Sequence, residues 1–293
     1  MRWVLLGFVA SLLVLFRLHD RLSVRSLRIT FFDVGQGDSA LVRFPGGKTM
    51  LIDSGGGIGD WNLGKRELFL ELARMGILTL DQAVLSHPDQ DHGLGFLGLF
   101  EHLKIREFLY NEAFLKDEKP RLLLQKLLAA AQGAGTKVEG VEGEIRRNEF
   151  GVAIRFLTPT IKRIQTNDRS LMVHLEYAGC SFLFTGDIEA DGEFWLAQQL
   201  RSPITVLKVA HHGSKTSSTQ RFLERVRPKI SVISNGYYNH YGHPNPDAMR
   251  RLRRVRTKIL RTDFHGFVTM EVNREGTLRC QTATGSCGEL RCH

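Results

Sequence analysis

The chain has 293 residues, 42% hydrophobic and 24% charged, a balance that excludes a disordered, collagenous or coiled-coil protein. Lys and Arg number 40 against 31 Asp and Glu, and the resulting +9 suits an anionic partner such as nucleic acid or a lipid surface. Four cysteines are too few for a disulfide scaffold, and 29 glycines imply many tight turns.

Trp3 to Phe16 is an uncharged apolar run preceded by Arg2. It is shorter than the roughly 20 residues of a spanning helix. Residues 1–22 therefore read as a signal-peptide core or a marginal membrane anchor, and with no small-x-small site before Arg17 an uncleaved anchor is favoured. A buried N-terminal helix is the alternative. Arg17, Arg21, Arg25 and Arg28 argue for a cytoplasmic side by the positive-inside rule. The positive start before an apolar core argues for export. The expected location is membrane-anchored or exported, with the extracytoplasmic side weakly favoured.

From Leu27 the pattern alternates as a half-buried strand. Residues 33–39 read as a turn, 40–44 as a strand, 45–48 as a hairpin turn, and 49–57 as a strand ending in a glycine loop. Residues 62–76 have helical spacing, and Ala83 to Ser86 is a buried strand running into His87. A helix is predicted over 118–131. Strands follow within 151–159, 170–179 and 180–187, then a helix over 194–200. Residues 204–210 form a strand running into two histidines. A helix over 221–226, a strand over 229–234 and a helix over 246–254 capped by Asn245 and Pro246 come next. Two closing strands end near 272. With no repeat and no linker, residues 27–275 read as one α/β domain, and residues 276–293 as a loose tail.

The chemistry concentrates where strands meet loops. His87, Asp89, Asp91 and His92 lie within six residues at a strand end. Buried carboxylates and imidazoles are costly unless a metal or a partner compensates them. His87 and Asp89 can face one ion, Asp91 and His92 a second. Asp187 ends another strand, well placed to bridge two ions, and His211 and His212 end a third; either could complete one ion's ligands. Asn167 and Asp168 put polar groups just before a strand. Each cluster alone could be a polar surface loop or a satisfied core histidine; four together are much less easily coincidental.

In this order, LIDSGG, HPDQDH, LFTGD and KVAHHGS resemble the metallo-β-lactamase fold superfamily. With FFDVGQGDSALVRF, TNDRSLMVHLEY and ISNGYYNHYGHPNPDAMRRL, the chain resembles the C-terminal hydrolase-like domain of ComEC-type competence DNA-uptake proteins over roughly residues 27–272. The resemblance implies an αββα sandwich with a two-metal site on its upper edge. It also implies a separate competence channel protein, since no multi-helix channel is present and the chain is read as a free-standing or singly anchored domain. The superfamily's usual His-x-His-x-Asp-His is here His87-x-Asp89-x-Asp91-His92. Carboxylate in place of imidazole hardens the site, favouring Mn²⁺ or Mg²⁺ over Zn²⁺ among the two divalent ions expected. A further superfamily histidine is missing, with Asn167 or Asp168 near its place.

On this reading the metal ligands are His87, Asp89, Asp91, His92, Asp187 and His211 or His212, with Asp91 and His243 the candidate catalytic residues. His243 would contact a scissile phosphate or protonate the leaving group, with a plain turn histidine at even weight. Asp53 is expected to orient ligands through hydrogen bonds rather than bind metal. Asp33, Gln36 and Asp38 would help it or stabilise their turn, and Asn167 and Asp168 belong to the same supporting group. Arg250, Arg251, Arg253, Arg254, Arg256, Lys258 and Arg261 form a basic run. It is either a solvated helix face or a phosphate track. In the second case Arg250, Arg251, Arg254, Lys258 and Lys215 contact nucleic acid, with Lys208 and Ser214, Ser217 and Ser218 adding to it. Of Cys280, Cys287 and Cys292, two can pair if the domain is exported, and all are free thiols if it is cytoplasmic.

The function expected is metal-dependent hydrolysis of phosphodiesters, most specifically cleavage of single-stranded DNA. The alternatives are a phosphodiesterase of a small ester such as a phosphocholine head group, and a non-catalytic DNA-binding module. The partners expected are single-stranded DNA and a membrane reached through the N-terminal segment.

Overall fold

A computed structural model describes residues 24–58, 61–62, 67–116, 118–160, 165–237 and 239–292. The apolar segment within residues 1–22 lies outside them. Among the described residues no helix is long and apolar enough to cross a membrane.

The strands are β1 (Leu27–Phe31), β2 (Ala40–Arg43), β3 (Thr49–Ile52), β4 (Gly57–Ile58), β5 (Trp61–Asn62), β6 (Thr79–Val84), β7 (Lys104–Asn111), β8 (Lys137–Val141) and β9 (Glu144–Glu149). They continue as β10 (Val152–Leu157), β11 (Met172–Tyr177), β12 (Cys180–Phe184), β13 (Val206–Lys208), β14 (Ile230–Ile233), β15 (Lys258–Arg261), β16 (Val268–Val272), β17 (Thr277–Thr282) and β18 (Gly285–Arg291). The helices are α1 (Phe69–Arg74), α2 (Gln90–His102), α3 (Glu118–Gly133), α4 (Ala190–Gln199), α5 (Gln220–Val226), α6 (Pro246–Arg254) and α7 (Thr262–His265).

A nine-stranded sheet runs β18-β17-β16-β1-β2-β3-β6-β7-β8, and a seven-stranded sheet runs β15-β14-β13-β12-β11-β10-β9. Their inner faces share a core of Ile29, Phe31, Val42 and Met50 against Phe156, Val173, Phe182 and Val232. Phe31 and Phe184 stack across it with ring centroids 5.6 Å apart. A second core packs Leu72, Phe96, Leu99 and Leu127 of α1 to α3 on the first sheet. A third packs Leu196, Leu223 and Leu252 of α4 to α6 on the second. Helices cover both outer faces of two stacked sheets, an αββα sandwich.

Alternating or wholly buried runs made most strands legible. α6 carries both of its predicted caps: Asn245 accepts the Asp247 N–H and Pro246 opens the helix. Strands β7 to β9 were not foreseen, and three further features differ from expectation. α1 is confined to Phe69–Arg74, with residues 63–66 outside the described set. α2 was not foreseen, because Gly93, Gly95 and Gly98 make a poor helix locally. The glycines instead allow close approach: a Cβ on Gly95 would sit 2.2 Å from the Ser54 carbonyl oxygen.

The loose tail is the third correction. Residues 277–291 form the β17–β18 hairpin at the edge of the first sheet. Cys280 is bonded to Cys287 across it, and Cys180 of β12 to Cys292, which joins the two sheets. Neither β18's polar pattern nor spacing announces this, since pairing and cross-links hold the hairpin.

Candidate metal centre

β3, β6, β12, β13 and β14 all end at one edge of the sandwich, where the strands β6, β13 and β14 pair in parallel with neighbours. Carboxyl ends of parallel strands are where side chains from separate loops converge. Asp53 follows β3, His87 follows β6, Asp187 follows β12, and His211 and His212 follow β13. His92 enters from the first turn of α2.

The backbone is bent to deliver these groups. Asp53, His211 and His212 have φ of 56°, 50° and 51°, left-handed values that non-glycine residues hold only under surrounding constraint. Gly186, before Asp187, leaves no room for a side chain: a Cβ would meet Ser170 at 2.8 Å and Ser86 at 2.9 Å. The His211 N–H donates to the Gly186 carbonyl at 3.2 Å, tying the two loops together.

Two groups with the spacing of candidate metal ligands result. His87, His92 and Asp187 form one, and Asp91, His92 and His212 the other. His92 Nε2 lies 3.3 Å from both Asp187 Oδ1 and His212 Nε2. A neutral imidazole offers one lone pair, so His92 serves one ion of the two. Asp187 Oδ2 is central, 3.8 Å from His87 Nε2, 3.9 Å from His211 Nε2 and 3.7 Å from His212 Nε2. Asp91 Oδ2 is 3.4 Å from His212 Nε2. Asp89 is half exposed on the rim, 3.6 Å from His87 Nε2. Of the His211–His212 pair, His212 points inward and is buried, while His211 Nδ1 lies 3.3 Å from Glu189 Oε1.

Behind the candidate ligands stands a layer of hydrogen-bonding groups. Asp53 accepts from Ser86 N–H at 2.8 Å and Ser86 Oγ at 2.7 Å, and lies 2.9 Å from His92 Nδ1. His212 Nδ1 faces the Ser234 carbonyl at 2.9 Å, which leaves its Nε2 toward the centre. Asp38 Oδ1 is 3.3 Å from His212 Nδ1, and Asp38 Oδ2 accepts from Lys208 Nζ at 2.6 Å.

Charge in this space is strongly coupled. Burial opposes a charged His92, but Asp187, Asp53 and Asp91 outweigh it and hold its pKa well above the ordinary value. Burial likewise opposes a charged His212, yet Asp187 and Asp38 push it up to about 10. Asp187 is held well below the usual range, its burial overcome by His92 and His212. Burial, with His92 alongside, lowers His87. These carboxylates attract positive charge into a buried space. His87 Nε2 and Asp187 Oδ1 are buried there without a hydrogen-bond partner among the described residues. Orphaned imidazole and carboxylate atoms facing one space are a donor set that divalent cations fit.

Several expected site residues stand outside the central cluster, some of them beside it. Asp33 is exposed and accepts from the Gly35 N–H at 3.3 Å, a turn-stabilising contact. Asp168 Oδ1 accepts from the N–H groups of Glu189 at 2.6 Å and Gly192 at 2.9 Å, so it caps α4. Asn167 uses its carbonyl to hold Ser170 Oγ at 2.7 Å, and Ser170 in turn receives the Asp187 N–H at 3.2 Å. His243 is half-buried with its ring 5.7 Å from that of His211. Burial and the neighbouring His211 and His212 lower its pKa.

The basic run divides. The Arg251 guanidinium donates to the carbonyls of Ser218 at 2.7 Å, Ser217 at 2.7 Å and Lys215 at 3.0 Å, so it clamps the loop after His212 instead of facing solvent. Arg250 pairs with Asp247, and Lys258 with the Cys287 carbonyl. Lys208 is buried and paired, not a surface contact. Arg253, Arg254, Arg256 and Lys215 are exposed. Residues that pattern did not single out are Ser86, Glu189 and Glu193; the last accepts the N–H groups of Ser218 and Thr219. No local signal marks them, because each acts through a partner far away in sequence.

Residues 32–237 match the model of the metallo-beta-lactamase superfamily. The chain is 31% identical over 290 residues to ComE operon protein 3 of Bacillus subtilis, which covers 92% of this chain and 36% of that protein. It is 32% identical over 256 residues to competence protein ComA of Neisseria gonorrhoeae, covering 85% of this chain and 33% of that protein. The chain thus spans about a third of the length of these curated relatives. Among solved structures, the diiron beta-hydroxylase CmlA of Streptomyces venezuelae aligns with TM-score 0.57 at 14% identity, over 85% of this chain and 54% of that one. The metallo hydrolase Igni18 of Ignicoccus hospitalis aligns with TM-score 0.52 at 16% identity, over 83% and 98%. These two likenesses are of fold.

Proposed function

Because the chain belongs to the metallo-beta-lactamase superfamily, we propose that its upper-edge centre is a two-metal phosphodiesterase site acting on single-stranded DNA. The observation that carries this reading is the convergence of His87, Asp91, His92, Asp187 and His212 from three separate segments into one cluster, buried except for the half-buried Asp91. Similarity to two competence proteins supports DNA as the substrate. The +9 charge and the exposed Arg253, Arg254 and Arg256 support a polyanion.

His87, Asp89 and Asp187 would hold one cation, and Asp91, His92 and His212 the other, with Asp187 between them and His211 at the margin. Three carboxylates among these ligands favour Mn²⁺ or Mg²⁺ over Zn²⁺. Bound divalent cations supply Lewis acidity, which lowers the pKa of water and neutralises charge on a phosphodiester. The chain's own groups do the rest. Asp53 and the Ser234 carbonyl fix the ring orientations of His92 and His212. His243, its ring 5.7 Å from that of His211, would hydrogen-bond a phosphate oxygen of the substrate.

The two disulfides support an oxidising compartment, hence the extracytoplasmic side. A membrane tether through the N-terminal segment and a separate channel protein complete the proposal.

The test uses the whole chain with Mn²⁺, Mg²⁺, Zn²⁺ or chelator against single-stranded DNA, duplex DNA and a small chromogenic phosphodiester. Single strands should be cut only with metal, and Asp187→Ala and His87→Ala should abolish cutting. Retained cleavage in either variant refutes the assignment. Turnover of the small ester alone, with little salt dependence, moves the substrate to a head-group class. Binding without cutting in every metal leaves a DNA-binding module.

A further inference from the structure

We propose that Tyr241 is a nucleobase-stacking subsite beside the metal centre, and that it selects an unpaired strand over a duplex. The inference rests on the reading of the centre as a nucleic-acid phosphodiesterase, and it adds the group that would recognise the base.

Tyr241 is 72% exposed, and the backbone that carries it is held by hydrogen bonds. Its ring stacks on that of His243, 6.2 Å between centroids with planes 16° apart. Asn239 holds the turn from both sides: its Oδ1 accepts the Tyr241 N–H at 2.8 Å, and its Nδ2 donates to the His243 carbonyl at 2.9 Å. The loop is also tied to the His211–His212–Gly213 turn. The Asn245 N–H donates to the Gly213 carbonyl at 2.8 Å, and Pro244 packs so closely on Gly213 that a Cβ there would lie 2.7 Å from it.

The rings therefore form a row leading out of the centre: His212, His211 at 6.4 Å from it, His243 at 5.7 Å from His211, then Tyr241. In a nucleotide the base is one sugar away from its phosphate. The Tyr241 ring centroid is 6.2 Å from that of His243, about the reach of a base from a phosphate held at His211 and His243. An exposed phenol face fits that base because every base has a π face, and stacking needs no sequence match. In a duplex each base already has neighbours on both faces, so only an unstacked base can use the site.

Stacking differs from phosphate contact in two ways that can be measured. It needs the base, and it responds little to salt, whereas the arginine contribution falls as salt rises. The experiment is a fluorescence-anisotropy titration in chelator, which prevents cleavage. The whole chain, Tyr241→Ala and Tyr241→Phe are titrated with an oligothymidylate, an abasic oligonucleotide of equal length and a duplex, at two salt concentrations.

Loss of the ring should weaken oligothymidylate binding by about 5- to 100-fold at both salts, and Tyr241→Phe should stay within about twofold of the parent. The abasic strand should not distinguish Tyr241→Ala from the parent. Undiminished oligothymidylate binding in Tyr241→Ala overturns the subsite. So does an equal loss on the abasic strand, or no binding by the parent. A parallel cleavage assay separates the two readings: Tyr241-dependent binding without cleavage in any metal would overturn the phosphodiesterase and leave the subsite standing.

Discussion

Lys208 Nζ lies 2.6 Å from Asp38 Oδ2, an ammonium and a carboxylate buried together where the two sheets meet beneath the candidate metal centre. Lys208 belongs to β13 of the second sheet, and Asp38 to the loop before β2 of the first. Asp38, Asp53 and His92 form a third acid-rich group at the centre, and the lysine supplies its positive charge. A buried pair stripped of one partner leaves an uncompensated charge, at a cost of about 3–5 kcal/mol. Lys208→Met should lower stability by that order. The double variant Lys208→Met with Asp38→Asn should lose less than the two single losses added together. Chemical denaturation of the four proteins measures both, and strict additivity would show that the two residues do not interact.

Asp53 should matter to metal affinity more than to folding. Its carboxylate lies 2.9 Å from His92 Nδ1, which sets the Nε2 toward the centre. Asp53→Asn keeps an oxygen for the Ser86 N–H but removes the charge. Replacing such an orienting carboxylate weakens metal binding about 10- to 100-fold. Competition against a chromogenic chelator for Mn²⁺ reads this directly, and an unchanged affinity would remove Asp53 from the supporting layer.

Gly95 tests how α2 places His92. The Ser54 N–H donates to the His92 carbonyl at 2.8 Å, so helix and loop are in backbone contact. A Cβ at 2.2 Å from the Ser54 oxygen cannot be accommodated without moving one of them. Gly95→Ala should cost at least about 1–3 kcal/mol and should also weaken Mn²⁺ binding. Gly133→Ala, where a Cβ meets nothing within 4 Å, is the matched control.

Glu193 gives a pH dependence with a definite sign. Burial pushes its pKa up to about 7, against an ordinary 4.5, despite the N–H groups of Thr219 and Ser218. The folded state therefore holds a proton that the unfolded state releases between those values. Stability from this group is full below pH 4.5 and declines as pH rises through about 7, by a few kcal/mol at most. Glu193→Gln should flatten that slope. Urea denaturation from pH 4.5 to 8 checks it, and a parent protein that grows more stable across this range through Glu193 would contradict the assignment.

Local pattern carried much of the fold. Strand alternation at Leu27–Phe31, the caps of α6 and the polar residues at each strand end are properties of short segments. A side chain's facing and an element's punctuation are set within a few residues, so such features survive without neighbours. Partnership is different. His92 and His212 are 120 positions apart and meet at 3.3 Å. Lys208 belongs among surface cations by composition, but β13 is a central strand covered on both sides, and there its ammonium pairs with Asp38. Arg251 and Asp168 were likewise assigned by type, and packing gave one to three carbonyls and the other to a helix end. The residue types alone established that this chain gathers ligands at strand ends. Which of them meet, and which are already taken, was decided by the stacking of two sheets, because burial and charge act through space and not along the chain.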